Sequence, residues 1–308
     1  MNNRTITIGA VAIVALAAIF YFASSQKKVS EDIKVGILLG FTGPIESLTP
    51  DMASGAELAF NEASNSGELL GGSKITILRA DSTCVDSAAA TAAAEDLLSQ
   101  GMTAMMGADC SGVTGAVATN VAVPNGFVMI SPSATSPGLT DLEDKGMFFR
   151  TAPSDARGGQ VLADITNDKG IKSVAITYVN SDYGLGLADV YKAAVEAYGI
   201  TVTTMASHES DKADYSADVG VLSSAGGDAL AVLGYLDNAG GHIIEGSLDS
   251  GAFDTFVLSD GMIGDSLTDR FGSDLNNSFG SMPVSYTHLR AHETDSYLVC
   301  RLLLEKSG

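Results

Sequence analysis

From residue 33 onward, short apolar runs alternate with longer stretches whose apolar positions recur at helical spacing. The run IKVGILL (33–39) reads as a buried strand. A helix follows to about residue 65, with Met52, Ala56, Ala59, Phe60 and Ala63 on one face, Thr49 as its expected N-cap and Pro50 at its first helical position. Strands at 74–78, 103–106 and 127–130 alternate with helices at 86–99 and 111–121, and FFRT (148–151) is a strand or a crossover leaving this unit. The pattern then restarts, with strands at 173–178, 201–205, 229–234 and 255–258 separated by helices at 183–198, 215–224 and 239–247. Near-continuous apolar strands between helices indicate parallel sheets covered on both faces. Two such sets, each of ordinary domain size, predict an α/β chain of two doubly wound parallel-sheet lobes. A single eight-stranded barrel is the alternative, disfavoured by the Pro- and Gly-bearing segment 148–159.

Both ends read differently from the middle. Residues 5–23 carry no charge and are almost all apolar, with Arg4 before them and Lys27 and Lys28 after. Residues 1–28 therefore read as a signal peptide or an N-terminal membrane anchor, and either implies export. At the other end, VSYTHLRAHET (284–294) and LVCRLLLEK (298–306) resemble one-frame translations of sequencing-library adapter DNA. Residues 284–308 are accordingly expected to be a non-native tail, an amphipathic helix around 298–304 being the competing reading. Lobe one is expected over 29–152, and lobe two over 153–283 with the start of a return crossover.

Composition narrows the function. Hydrophobic residues make up 45% and charged residues 18%, which fits a core-forming chain. Acidic residues outnumber basic ones 37 to 17, a net charge of −20, which excludes a nucleic-acid partner because phosphate contacts need a basic face. Such self-repulsion favours a soluble monomer. Of three cysteines, Cys300 lies in the suspect tail, leaving Cys84 and Cys110 in an exported chain.

Ligands of open α/β sheets bind beyond the carboxyl ends of the strands. After the strands of lobe one come Asp109-Cys110-Ser111-Gly112 and Ser131-Pro132-Ser133-Ala134-Thr135. In lobe two the corresponding positions are Asn180-Ser181-Asp182-Tyr183, Tyr235-Leu236-Asp237 and Ser259-Asp260-Gly261. Ser111 as cap of a helix starting at Gly112 would favour an anion there. Ser133 and Thr135 would add hydroxyl donors, and Asp260 across the cleft would pair with an ammonium. That division of charge suits a zwitterion. The plainer alternative is that Ser111 and Thr135 only cap their helices. The run Gly184-Leu185-Gly186-Leu187-Ala188-Asp189 lacks the third glycine of a dinucleotide fingerprint. His208 and His242 stand alone, as surface or internally satisfied residues. No nucleophile–base pair, cofactor motif or metal-ligand set emerges, so neither an enzyme nor a cofactor is expected.

With these residues in view, the chain resembles the substrate-binding proteins of branched-chain amino-acid ABC transporters, which have the type I periplasmic-binding fold. The likeness rests on IKVGILLGFTGPIESLTPDMASGAELAFNEA (33–63), Asp81-Ser82-Thr83-Cys84, Asp109-Cys110-Ser111, Ile130-Ser131-Pro132-Ser133-Ala134-Thr135 and Asp182-Tyr183-Gly184-Leu185-Gly186. The resemblance implies two lobes that hinge shut on a small solute and an ABC permease as membrane partner. It implies that Ser111 and Thr135, with backbone at Ser133 and Ala134, hold the ligand's α-carboxylate. Tyr183 would close from lobe two and Asp260 would meet the ammonium. Leu48 and Tyr235 match positions near the ligand side chain, more loosely, and Cys84 and Cys110 match a disulfide pair. It also implies that the second part of lobe one is missing, leaving some of the lobe-one sheet uncovered. A ligand-sensing ectodomain on the same fold, without transport, is the alternative function.

Overall fold

A computed structural model describes residues 32–283 and 299–302; the segments 5–23 and 284–298 discussed above lie outside the described residues. Among the described residues, eleven strands form two sheets. The first contains β1 (Ile33–Leu39), β2 (Ile75–Asp81), β3 (Ala104–Gly107), β4 (Val128–Ser131) and β5 (Phe148–Arg150), in the order β2-β1-β3-β4-β5 and parallel throughout. The second contains β6 (Ser173–Val179), β7 (Thr201–His208), β8 (Ala229–Leu233), β9 (Phe256–Leu258), β10 (Phe279–Pro283) and β11 (Val299–Leu302), in the order β11-β10-β9-β8-β6-β7. Apart from the antiparallel β11, the second sheet repeats the strand order of the first. Two open doubly wound sheets result, and the barrel alternative falls. The strand order of each sheet reverses beside its first strand, so each lobe has a crevice at the carboxyl ends of β1 and β3 or of β6 and β8.

The helices are α1 (Thr49–Ser66), α2 (Ser87–Ser99), α3 (Ser111–Val117), α4 (Asp155–Asp168), α5 (Asp182–Ala197), α6 (Ser216–Ala225), α7 (Gly241–Asp249) and α8 (Asp265–Phe271). Helix α3 runs on through a π-helical turn, Ala118–Ala122, into Val123–Asn125. The strands fall close to the expected positions, and the main departures have local causes. Helix α4 replaces the irregular crossing expected at 148–159. Ser154 caps it by accepting the Ala156 N–H at 3.2 Å, and Val161, Leu162 and Ile165 are buried along it. Gly159 suits the crossing of α4 with α5, since a Cβ there would lie 2.8 Å from Val190 Cγ1. Thr49 is not the cap of α1: Leu48 holds that position and the buried Thr49 hydroxyl donates to Gly40 O at 3.1 Å. The segment expected to begin a return crossover contains β10, hydrogen-bonded in parallel beside β9.

One apolar cluster runs from Leu38 and Met105 in the first lobe through Tyr183 and Tyr191 to Phe279 in the second. A second cluster, Ala175 to Leu275, fills the other side of the second sheet. On the other side of the first sheet, α1 covers Ile37 and Leu39, but Val128, Ile130 and Phe149 stay exposed. Among the described residues, then, part of the lobe-one sheet is uncovered. No helix among them is long and apolar enough to cross a membrane.

Candidate functional site

The two crevices meet. Ser47, after β1, donates its hydroxyl to Asp237, after β8. The lobes also touch at Gly186, where a Cβ would come within 2.9 Å of Pro137 Cδ.

The lobe-one wall is built on a buried carboxylate. Asp109 accepts the Gly40 N–H at 2.5 Å, the Ser82 hydroxyl at 2.9 Å and its neighbour Cys110 N–H at 3.0 Å, tying together the loops after β1, β2 and β3. Burial pushes its carboxyl above the ordinary range, and these hydrogen bonds pull it back. A disulfide between Cys84 and Cys110 (S–S 2.06 Å) fastens the same loops. Most of the polar groups after β4 are occupied within the wall. Ser131 donates to Ala108 O at 2.5 Å and accepts the Ala134 N–H at 3.0 Å, and Ser133 donates to Asp109 O at 3.0 Å. Ser111 is the first helical residue of α3 rather than its cap, and its hydroxyl oxygen accepts the Ser136 N–H at 3.1 Å. No side chain caps α3, so its first-turn N–H groups keep the electropositive character of a helix start. Thr135 is buried and its hydroxyl bonds to Asp155.

The lobe-two wall is tyrosine and acid. Tyr183, in the first turn of α5, donates to Asp260 Oδ1 at 2.6 Å, and the Gly261 N–H approaches the same oxygen at 2.9 Å. Tyr235 stacks on Tyr183 with ring centroids 5.2 Å apart and planes 21° from parallel. Burial raises the Asp260 carboxyl above the carboxylate range, against the opposing pull of Tyr183 and Gly261. Burial first, and then Asp260, hold the Tyr183 phenol well above its ordinary value. Both tyrosines are thus neutral donors at physiological pH. Leu48 is exposed in the loop that precedes α1, next to Ser47.

Asp155 lines the candidate site beside Thr135 and Asp260, a placement that the sequence did not reveal. It opens α4 where the chain passes between lobes, is 5% exposed, and its Oδ2 has no hydrogen-bond partner. Burial and then the nearby Asp260 push its carboxyl up to about 8, opposed by Thr135 and Arg150. Thr135, Asp155 and Asp260 line one cavity of about 30 Å³, room for a water-sized head group only. An acid in the first turn of a helix is an ordinary sequence feature, so only the fold exposes this one's burial.

His208 is buried, with Nδ1 2.8 Å from Thr177 Oγ1 and Nε2 without a partner, so it is only half satisfied. His242 is exposed beside Glu245 at 3.7 Å. Among the described residues no cluster of His, Cys, Asp and Glu is suited to hold a metal ion.

A family model described as periplasmic binding protein matches residues 32–289. The chain is 32% identical over 255 residues to Leu/Ile/Val-binding protein homolog 3 of Brucella melitensis, covering 80% of this chain and 64% of that relative. It is 31% identical over 277 residues to homolog 1 of the same organism, covering 88% of this chain and 72% of the relative. A crystal structure of the branched-chain amino acid transporter substrate binding protein LivJ from Streptococcus pneumoniae, in complex with isoleucine, superposes with a TM-score of 0.72 at 25% identity. That match covers 85% of this chain and 74% of the other. A leucine-binding protein from Thermotoga maritima shares the fold at 20% identity, with a TM-score of 0.70 over 81% of this chain and 69% of the other. The matched relatives are named as binding proteins, not as enzymes.

Proposed function

The chain belongs to the periplasmic binding protein family, and on that footing we propose that it is an exported, monomeric receptor that closes on a branched-chain or similar amino acid and delivers it to an ABC permease. The observation that carries this reading is the opposed polarity of the two walls. On lobe one the uncapped start of α3 and the Ser111 hydroxyl, whose oxygen accepts the Ser136 N–H and whose own hydrogen is left to donate, offer donors to a carboxylate. On lobe two and the crossing segment, Asp260 and Asp155 offer acceptors to an ammonium. Leu48 and the stacked pair Tyr183–Tyr235 supply apolar surface for a side chain between them. A ligand that bridges both walls stabilises the closed form by its differential contacts, which is how binding becomes a signal a permease can read.

Thermal unfolding in the presence of leucine, isoleucine and valine tests the reading. At a concentration 100 times its dissociation constant, a ligand stabilises by about 2.7 kcal/mol. Asp260→Ala is expected to lose that response. An unchanged affinity in the variant would remove Asp260 from the site, and consumption of the ligand would end the receptor reading.

A further inference from the structure

Two acids of unequal circumstance face one small cavity. Asp260 comes from the turn after β9 and is served by Tyr183 and Gly261, both on Oδ1. Asp155 comes from the start of α4 and leaves Oδ2 unpartnered although it is buried. The cations nearby offset the pair only in part. Arg150 on β5 directs its Nη atoms to Ser136 O (2.9 Å), Ala134 O (3.3 Å) and Thr140 Oγ1 (2.6 Å). Arg157 on α4 lines the cavity but is itself exposed. The remaining groups that face the acids are neutral: Thr135, Ser154, Ser259 and Ser281, and the phenols of Tyr183 and Tyr235. Two ionised carboxylates cannot share a confined, poorly neutralised place without a cation or a proton between them.

We propose that Asp155 and Asp260 hold one proton between them in the ligand-free protein and release it to solvent when a ligand's ammonium docks. The pair then serves as the specificity determinant for ammonium-bearing solutes, a role that rests on the zwitterion reading above. The step balances simply: the carboxylic O–H bond breaks, the proton passes to water, and the ammonium keeps its three hydrogens and becomes the counter-ion of both carboxylates. The elevated position of the Asp155 carboxyl, about 8, agrees with a pair that is singly protonated at neutral pH. By linkage, affinity for an ammonium-bearing ligand rises with pH while the ligand-free pair still holds its proton, and flattens once that proton is gone.

The test has a ligand-free arm and a binding arm on the full chain. Carbon-13 NMR of the aspartate carboxyls, assigned by loss of a signal in Asp155→Asn, is expected to show a group titrating near pH 8. That midpoint is expected to fall in Asp260→Asn, because the nearby Asp260 charge is one of the two causes that raise it. A midpoint below about 5 in the unaltered protein, inside the ordinary carboxylate range, overturns the proposal without touching the receptor reading. In the binding arm, L-leucine affinity is expected to rise about tenfold per unit between pH 6 and 7 and to level above 8. Calorimetry in buffers of different ionisation enthalpy reads about one proton released at pH 7. Asp155→Asn removes both the slope and the proton. For 4-methylpentanoate, the same skeleton without the ammonium, no such rise is expected. Leucine binding that is flat from pH 6 to 8 overturns the proton pair and leaves the receptor standing. If leucine and its relatives fail to bind at all, the receptor reading falls, and the NMR arm still decides the pair.

Discussion

Strands β4 and β9 hold the same place in their two sheets, yet β9 buries Phe256, Val257 and Leu258 together, whereas β4 leaves Val128 and Ile130 37% and 43% exposed. The neighbours follow suit: β10 starts with three buried residues, while β5 leaves Phe149 52% exposed. Cover makes the difference. Helices α7 and α8 contribute Ile243, Ile244, Leu267 and Phe271 to the far side of the second sheet. On the first sheet α1 reaches β1 and its neighbours, but among the described residues nothing apolar closes over the face of β4 and β5 that carries Val128, Ile130 and Phe149. An apolar strand therefore reports a capacity for burial on both faces, and the elements packed on it decide whether that capacity is used. Lobe one depends more on cross-links between its loops, and lobe two on its packed core.

The sharpest way to break that contrast is to truncate one phenylalanine in each lobe. Phe256→Ala removes a fully buried ring and is expected to cost about 4 kcal/mol in urea unfolding. Phe149→Ala removes a half-exposed ring and is expected to stay within about 0.5 kcal/mol. Similar costs for the two would show that the β4–β5 face is covered in solution.

Next in size is the loop clamp. Cys84 and Cys110 are 26 residues apart, so opening their bridge is expected to cost about 3.5 kcal/mol through loop-closure entropy. Replacing both by Ser should speed hydrogen exchange in the loops after β2 and β3 and leave β6 to β9 protected. Loss of protection spread evenly over both lobes would mean that the bridge supports the molecule as a whole.

A pH-dependent contribution belongs to lobe two. Burial pushes His208 down to about 4, with Lys212 adding to the effect and Asp218 opposing it. The unfolded chain, with an ordinary imidazole near 6.5, binds the extra proton, so this contribution is whole above pH 6.5 and fades as pH falls towards 4. At the bottom of that window the loss approaches roughly 3 kcal/mol. The difference between the stability curves of the unaltered protein and His208→Gln isolates it from the carboxylates. Parallel curves from pH 4 to 7 would mean that His208 opens to water before the lobe unfolds.

Much of the architecture was legible because strand burial writes apolar runs: IKVGILL and ALAVLG fall on β1 and β8 to within a residue. The crossing helix α4 was hidden within the Pro- and Gly-bearing segment 148–159, where the fold uses Gly159 for close packing on α5. In the candidate site, Tyr183, Asp260 and Thr135 could be singled out from the sequence because they follow strands at a sheet's carboxyl edge. Asp155 follows none; it reaches the cleft only because the first turn of α4 lies between the lobes, a tertiary fact without a local signature. The serines show the opposite limit. Ser111 and Ser133 sit where hydroxyls were expected; Ser133 spends its hydrogen on Asp109 O, whereas the Ser111 oxygen accepts the Ser136 N–H and retains its own hydrogen to donate. Residue type marked the place there, and only the hydrogen bonds told which partner each group had taken.

The smallest expected effect asks whether the contrast extends to helix starts. Asp86 caps the Ala-rich helix α2 of lobe one, its Oδ1 accepting the N–H groups of Ala88 at 2.9 Å and Ala89 at 3.0 Å. Ser181 caps α5 of lobe two with one bond, to the Gly184 N–H at 3.2 Å, and that helix also buries Tyr183, Leu187, Tyr191 and Val195. A helix with few large buried side chains leans more on satisfied terminal N–H groups than one anchored by aromatic packing. Asp86→Ala is therefore expected to cost about 1 kcal/mol and Ser181→Ala about half that, both read from urea midpoints at unchanged slope. A larger cost at Ser181 would indicate that the start of α5, which also carries Tyr183 into the cleft, is held by its cap rather than by the packing of lobe two.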